Sequence, residues 1–440
     1  MSSRWVDTFI AAAGIAGAVF VAFFAGSALT YKEWFPYSLL HNGEVVARHI
    51  WHTQIRRPYY IEDAHPGTPA QSEARSLDPA KTAPGVTFVV AYTEDNLFKA
   101  WLVDQQGETL HQWEARFSEI FPEPDHLVAS VKDSLIAWHG SHLYPDGSIL
   151  FNFQDNNFPY GSGMVKLDKD SNLVWKLAEN THHDITVADD GTIWASGQAI
   201  IEELWEIVPN FEPWYYDDLI VKVSPEGELD SEISVLNALA DHAGVLTTTF
   251  VWSDRVTSSD PLHLNNVEPL PAELADQYPM LAAGDIMISL RNINSIAFVD
   301  PNTGKVKRTI VGQFVRQHDP DFMPNGHLLI YDNRGAPIEC GGTRVIELDP
   351  GSMEIVWSYD GCDRPMPFDS NTRGVVQLLE NGNVLTVDAL HGRIMEVTRE
   401  AEPELVWEYF NVIGDNDGTP LVGMILHAER FAPDQLTFLE

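Results

Sequence analysis

"HDPDFMPNGHLLIYDN", residues 318–333, decides how the rest of the chain is read. A histidine opens it, Phe322 follows four residues on and Pro324 six on, and a Pro-Asn-Gly turn leads into an alternating strand. Period-two alternation around such a turn marks a β-hairpin. The same phase recurs along the chain. "HGSHLYPDGSIL" presents His139, Leu143 and Pro145, and "HDITVADDGTIW" presents His183, Val187 and Asp189. "HLNNVEP" gives His263, Val267 and Pro269, and "HAERFAPDQLTFL" gives His427, Phe431 and Pro433. In "GVVQLLENGNVL" Gly374 stands where the others have histidine, followed by Leu378 and Glu380. Histidine therefore holds one position, just before the first strand, in five of six copies.

A second hairpin lies between these copies: a strand, a turn of Asp, Pro, Gly or Ser, and a strand often ending in Trp. It occurs at 99–113, 163–175, 219–233, 295–310, 344–357 and 393–407. Two hairpins per repeat give six four-stranded units, so the expected fold is all-β, a six-bladed β-propeller. The outer hairpin near 86–113 lacks an inner one before it, and the inner hairpin at 427–439 lacks an outer one after it. Pairing the N- and C-terminal strands in one blade would close the ring and remove exposed edges. The third unit carries an insertion, about 198–217 and 236–262, whose stretch "VLNALADHAGVLTTTF" reads as partly helical.

Residues 6–30, "VDTFIAAAGIAGAVFVAFFAGSALT", are apolar apart from Asp7 and long enough to span a bilayer. An uncleaved transmembrane anchor is the expectation, with a signal peptide cleaved near "GSA" (26–28) as the alternative. Either reading exports the bulk of the chain, which in a bacterium means an inner-membrane anchor and a periplasmic propeller. The expected division is 1–35 anchor, 36–85 a Pro-rich linker without periodicity, and 86–440 propeller. Cys340 and Cys362 flank strands at 343–348 and 354–359 at nearly equal distance from the "DPGS" turn. A disulfide across the hairpin's open end is geometrically reasonable, two buried free thiols being the alternative.

The 440 residues are 44% hydrophobic, enough for a large core, and the net charge is −37. That excess disfavours nucleic acid and anionic surfaces, and an anionic substrate would need a local positive site. In a propeller the first strand of each blade lines the central channel. His139, His183, His263, His318 and His427 would then converge on one axis. The bland alternative is five inherited histidines that each bond a neighbouring blade. Arg291 ends an inner strand beside the channel, and Asn265 shares the side of His263 in an extended segment. His182 should point away from His183. Asp184 and Asp319 follow two of the histidines, but no metal-ligand spacing is evident and no cofactor is expected. A nucleophilic histidine could accept a sulfuryl or phosphoryl group, with Arg, His and amide groups holding its oxygens. No phosphate-cradling loop is present, which argues against a nucleotide donor.

The segments "HHDITVADDGTIW", "DPLHLNNVEPLP", "ISLRNINSIAFVDPNTGKVKRTI", "RQHDPDFMPNGHLLIYDN", "RVIELDPGSMEIVWSY" and "GNVLTVDALHGRIMEV" resemble the arylsulfotransferase (arylsulfate sulfotransferase) family over roughly residues 86–440. The resemblance implies a six-bladed propeller that moves a sulfuryl group from a phenolic sulfate ester to a phenol without the nucleotide donor PAPS. It implies that His318 becomes a sulfohistidine, that His263 and Asn265 contact the sulfuryl oxygens and that Arg291 neutralises them. His183 corresponds to the histidine that moves a proton to and from the phenolic oxygen. His139, His427 and Asp319 follow from the repeat phase and are expected as channel residues. Well-known bacterial members carry a further N-terminal β-sandwich that assists dimerisation, where this chain has the apolar segment and linker. The expected partners are thus a phenolic sulfate donor, a phenol acceptor and the lipid bilayer, without nucleic acid. Two other functions remain open: a non-catalytic propeller serving as the binding or assembly subunit of a membrane complex, and a metal- or quinone-dependent oxidoreductase.

Overall fold

A computed structural model describes residues 59–439, apart from 128–130, 156–159, 204–214, 243, 245–259 and 363–365, together with 20–24, 26 and 27. Most of the expected anchor at 6–30 lies outside the described residues, with 20–24, 26 and 27 inside them. Among those described, no helix is long and apolar enough to cross a membrane.

Six antiparallel sheets of four or five strands make up most of the described body, beside a three-stranded sheet of Ile61–Asp63, Thr419–Gly423 and Val412–Asn416. Sheet one holds Ala137–Leu143, Ile149–Gln154, Gly161–Leu167 and Leu173–Leu177. Sheet two holds Thr181–Val187, Ile193–Ile201, Tyr215–Val223 and Leu229–Ser234. Sheet three holds Leu264–Pro269, Ile286–Leu290, Ser295–Asp300 and Lys305–Val311. Sheet four begins at His318–Phe322 and Leu328–Asp332 and ends with Arg344–Leu348 and Ile355–Tyr359. Sheet five runs Val376–Leu378, Val384–Asp388, Arg393–Val397 and Leu405–Phe410, with Glu73–Ser76 added on its outer edge. Sheet six joins Ile425–Phe431 to Val86–Tyr92, Phe98–Val103 and Thr109–Trp113.

The core is divided among the spaces between sheets. One apolar layer lies between each sheet and the next, and the last of them, holding Phe88, Trp138 and Phe151, joins sheet six to sheet one. Strands second in order are buried on both faces, which is why they read as mainly apolar runs without alternation, such as "IMISL" and "VLTVD". Outermost strands such as Leu173–Leu177 are largely exposed and alternate.

Two repeated contacts link the sheets. Near the centre, a side chain on one first strand accepts the backbone N–H of the next. Asp184 accepts from Val267 (2.8 Å), Glu268 from Phe322 (3.3 Å), Asp319 from Val376 (2.7 Å) and Gln377 from Arg430 (2.7 Å). At the rim, the tryptophan closing an outer hairpin donates its indole N–H to a turn of the next sheet. Trp113 reaches Gly147 O, Trp175 Pro225 O, Trp357 Glu400 O and Trp407 Gln105 O, all at 3.0–3.1 Å. The recurrent tryptophan is thus a link between repeats rather than a strand terminator.

Two expectations are corrected. The compact unit starts at Tyr60, not at 86. Ile61–Asp63 pairs with Thr419–Gly423, and Glu73–Ser76 pairs with Leu405–Phe410. Both strands form backbone ladders at edges, which require no apolar periodicity. The C-terminal stretch supplies one strand to sheet six, not a hairpin. The apolar run Val86–Tyr92 takes the second place, and Thr437–Leu439 is a 3-10 turn. Of the insertion in sheet two, Val235–Ala238 is helical, while 204–214 and 245–259 lie outside the described residues.

Candidate functional site

Each histidine of the repeat sits at a β-bulge. Register shifts fall at His139/Ser141, His182/Ile185, Leu264/Asn266, His318/Asp321 and Ile425/His427. Left-handed φ occurs at Gly140 (57°), His183 (51°), His263 (59°) and Asp319 (45°). Such a bulge breaks the two-residue alternation and re-aims the side chains beside it. Gly140 is required there, because a Cβ would meet His183 O at 2.4 Å.

The rings of His139 and His183 are 5.0 Å apart, and those of His183 and His263 are 4.8 Å apart. His318 lies within electrostatic reach of Arg291, His263 and His139. His182 does not point away as expected. The bulge after it sets its Nδ1 2.6 Å from His183 Nδ1, in a buried pair. His427 lines the same central cavity, within electrostatic reach of His139, but its ring packs on Phe88 and its Nε2 lies 3.7 Å from Glu429.

His318 is fixed in one tautomer. Its Nδ1 is 2.7 Å from Asn333 Oδ1 and 3.1 Å from Arg316 O. Asn333 donates both amide hydrogens, to Ser370 O (2.7 Å) and Arg373 O (2.6 Å), so its oxygen must face the imidazole. Both neighbours of Nδ1 are acceptors, hence Nδ1 carries the hydrogen and Nε2 the lone pair. Nε2 accepts the Arg373 backbone N–H at 3.2 Å. Burial, and then the Arg291 charge, hold this imidazole well below its ordinary pKa, so it is neutral.

His263 is oriented differently. Its Nδ1 lies 2.5 Å from Asp260 Oδ2, an oxygen that Tyr160 also approaches at 3.4 Å. Burial opposes ionisation of Asp260, but its pairing with His263, with Arg291 nearby, prevails and holds it below the usual carboxylate range. Arg291 opens a short 3-10 turn, held by its N–H to His263 O (3.1 Å). Asn265 donates to Gln317 O (2.9 Å) and leaves its buried Oδ1 without a partner. His139 donates from Nδ1 to His183 O (2.6 Å), leaving a buried lone pair on Nε2. Burial lowers His139 and His183 well below the usual imidazole range and His182 to about 3.

A cavity of about 270 Å³ lies among the first strands, lined by His139, His183, Asn265, His318 and His427 and by the carboxyls of Asp184, Glu268, Asp319 and Asp321. Burial raises Asp184 to about 6; burial and the charge of Asp184 raise Asp319 to about 7. Glu268 and Asp321 are raised well above the usual carboxylate range by burial and then by the charge of Asp319. These groups resist carrying charge together, so the acidic lining repels an anion less than its composition implies.

Sequence reasoning missed Arg373, Asn333, Asp260, Tyr160 and His182. Arg373 precedes Gly374, at the copy without histidine, and its charge acts on His139, His183 and Tyr160. Gly374 has φ 142°, and a Cβ there would meet the Tyr331 ring at 2.3 Å. The sixth copy thus excludes a side chain at the histidine position and contributes a guanidinium next to it. The exception in the repeat was the available signal.

A family profile described as "Arylsulfotransferase (ASST)" matches residues 140–411, a span that contains His183, His263, Asn265, Arg291 and His318. The chain belongs to the arylsulfotransferase family. Membership supports an arylsulfotransferase-like transferase acting on phenolic substrates. No curated protein matches this arylsulfotransferase-family chain. Among solved structures, a Bacteroides caccae protein of unknown function is 13% identical, with 79% of this chain and 98% of that one covered at a TM-score of 0.47. A streptogramin B lyase is 13% identical, with 83% and 100% covered at 0.41. A catalytically inactive virginiamycin B lyase from Staphylococcus aureus, in complex with quinupristin, is 12% identical, with 70% and 88% covered at 0.37. None of these likenesses carries an argument about the site.

Proposed function

We propose that the six sheets are the blades of one closed propeller and that the chain is a PAPS-independent arylsulfate sulfotransferase working through a sulfohistidine at His318. The observation that carries this reading is the His318 tautomer: a neutral imidazole, Nδ1–H tied to Asn333, with its lone pair on Nε2. In the first half-reaction Nε2 gives up the Arg373 N–H, its lone pair attacks sulfur, the N–S bond forms, and the S–O bond to the aryl group breaks. His263, Asn265 and Arg291 hold the sulfuryl oxygens, and Arg373 adds a second positive charge. Positioning and charge stabilisation supply most of the acceleration in such in-line transfers.

His183 is neutral at rest, which fits a base rather than an acid. The donor's phenol then leaves as phenolate, and donors with acidic phenols react faster. In the second half-reaction His183 takes the acceptor's phenolic proton, the phenolate oxygen attacks sulfur and the N–S bond breaks. Ping-pong kinetics follow from the shared intermediate. The apolar stretch 6–30 supports anchoring to the bacterial inner membrane with the propeller on the periplasmic side.

Incubation with 4-nitrophenyl sulfate, acid-free quench and peptide mass spectrometry tests the reading. The expected result is a gain of ~80 Da, one SO₃, on the His318 peptide, discharged by added phenol. Absence of both the adduct and phenol-dependent nitrophenol release would overturn it in favour of a non-catalytic binding module.

A further inference from the structure

We propose that His65, Asp388 and His391 form a site for a divalent transition-metal ion of the zinc class, separate from the central histidine cluster. One ligand atom from each residue lies within 4.8 Å of those of the other two. Their chain positions are remote. His65 follows the edge strand Ile61–Asp63, Asp388 ends the second strand of sheet five, and His391 sits in the turn after it. The two imidazoles lie with ring centroids 3.7 Å apart at 30°. His391 Nδ1 is 3.0 Å from Asp388 Oδ1. Asp388 is fully buried, and its other oxygen accepts the Asp369 N–H at 3.2 Å.

The second observation is an orphan. His65 Nε2 is buried without a hydrogen-bond partner beside this carboxylate. An unsatisfied buried polar atom is destabilising, and a cation bound to it removes that penalty. Two imidazoles and a carboxylate are the donor set that zinc, cobalt, nickel and copper accept, with a fourth position for water or another oxygen. Asp369 is close enough to act electrostatically on both imidazoles. Its N–H already orients the Asp388 carboxylate, the kind of support that ligating carboxylates have. Binding needs a lone pair from each imidazole, so any proton carried there passes to solvent and affinity falls in acid.

The location gives the ion a structural task. It would join the N-terminal edge segment to sheet five. Through Asp369 it would also brace the loop whose Ser370 and Arg373 carbonyls orient Asn333 under His318.

Chelator-treated full-length protein is titrated with Zn²⁺ by calorimetry and with Co²⁺ by visible absorption. Wild type should take up a single tight equivalent and give the ligand-field bands of a His-bound cobalt ion. His65→Ala and His391→Ala should each weaken uptake by about tenfold or more, while His318→Ala and His327→Ala titrate as wild type. Circular dichroism and melting in chelator, matched to metal-free wild type, show that the variants are folded; if an alanine variant is not, His65→Gln takes its place. No uptake by wild type, unchanged uptake by the His65 and His391 variants, or loss on His318→Ala overturns the assignment.

Discussion

Asn333→Ala tests the tautomer argument. The amide makes three short bonds: 2.7 Å to His318 Nδ1, 2.7 Å to Ser370 O and 2.6 Å to Arg373 O. At roughly 1 kcal/mol net for each buried bond, the variant loses about 3 kcal/mol of stability. The catalytic part is smaller and separable. Losing the Oδ1 acceptor leaves Arg316 O, at 3.1 Å, as the remaining hold on Nδ1–H. A bias of about 1 kcal/mol toward the reactive tautomer then disappears, which slows sulfuryl capture by about fivefold to tenfold. The assay is the pre-steady-state burst of nitrophenol from 4-nitrophenyl sulfate, set beside a urea melt. The disulfide-free pair Cys340→Ser/Cys362→Ser is the control, because it loosens the same loop without touching His318. A burst rate equal to wild type in a destabilised Asn333→Ala would refute the reasoning, as would an equal slowing in the control.

Three further outcomes are expected. The Cys340–Cys362 disulfide, with Cα atoms 4.7 Å apart, spans a sequence separation of 22 residues; its removal should cost about 3 kcal/mol in denaturant melts by loop entropy. Trp407→Phe removes the indole bond to Gln105 O and leaves a small void, so it should cost about 2 kcal/mol. Asp319→Asn keeps the bond from Val376 N–H but removes an acid whose folded pKa, about 7, lies above its ordinary 3.8. The folded state of wild type holds that proton where the unfolded chain has lost it, so wild-type stability from this group declines as pH rises from 3.8 through about 7. The variant should therefore gain a few kcal/mol relative to wild type above neutrality, at about 1.4 kcal/mol per pH unit. It should gain almost nothing near pH 4, and equal melts at both pH values would exclude the buried-acid account.

The hairpins were legible because strand alternation and turn chemistry are local, and six copies reinforce one another. The phase of the histidines was legible for the same reason, and so was the placing of the two cysteines. Their bulges were not. A bulge depends on pairing with a second strand, so the alternation rule turned His182 the wrong way. The recurrent tryptophans were visible, but their acceptors lie in other repeats. The edge strands at 61–63 and 73–76 gave no apolar signal because they contribute backbone bonds to a sheet formed elsewhere.

The sequence by itself determined a repeated all-β chain, the histidine phase and the family resemblance, since each is written in residues near one another. Tertiary structure decided which nitrogen of His318 carries the hydrogen and which the lone pair, that Arg373 stands beside the vacant sixth position, and that His65 meets Asp388 and His391. Those depend on atoms about 40, 55 and 320 residues apart meeting within hydrogen-bonding or ligand distance. Only the packing of the sheets against one another, with its desolvation and its crowding of charge, fixes where a proton sits.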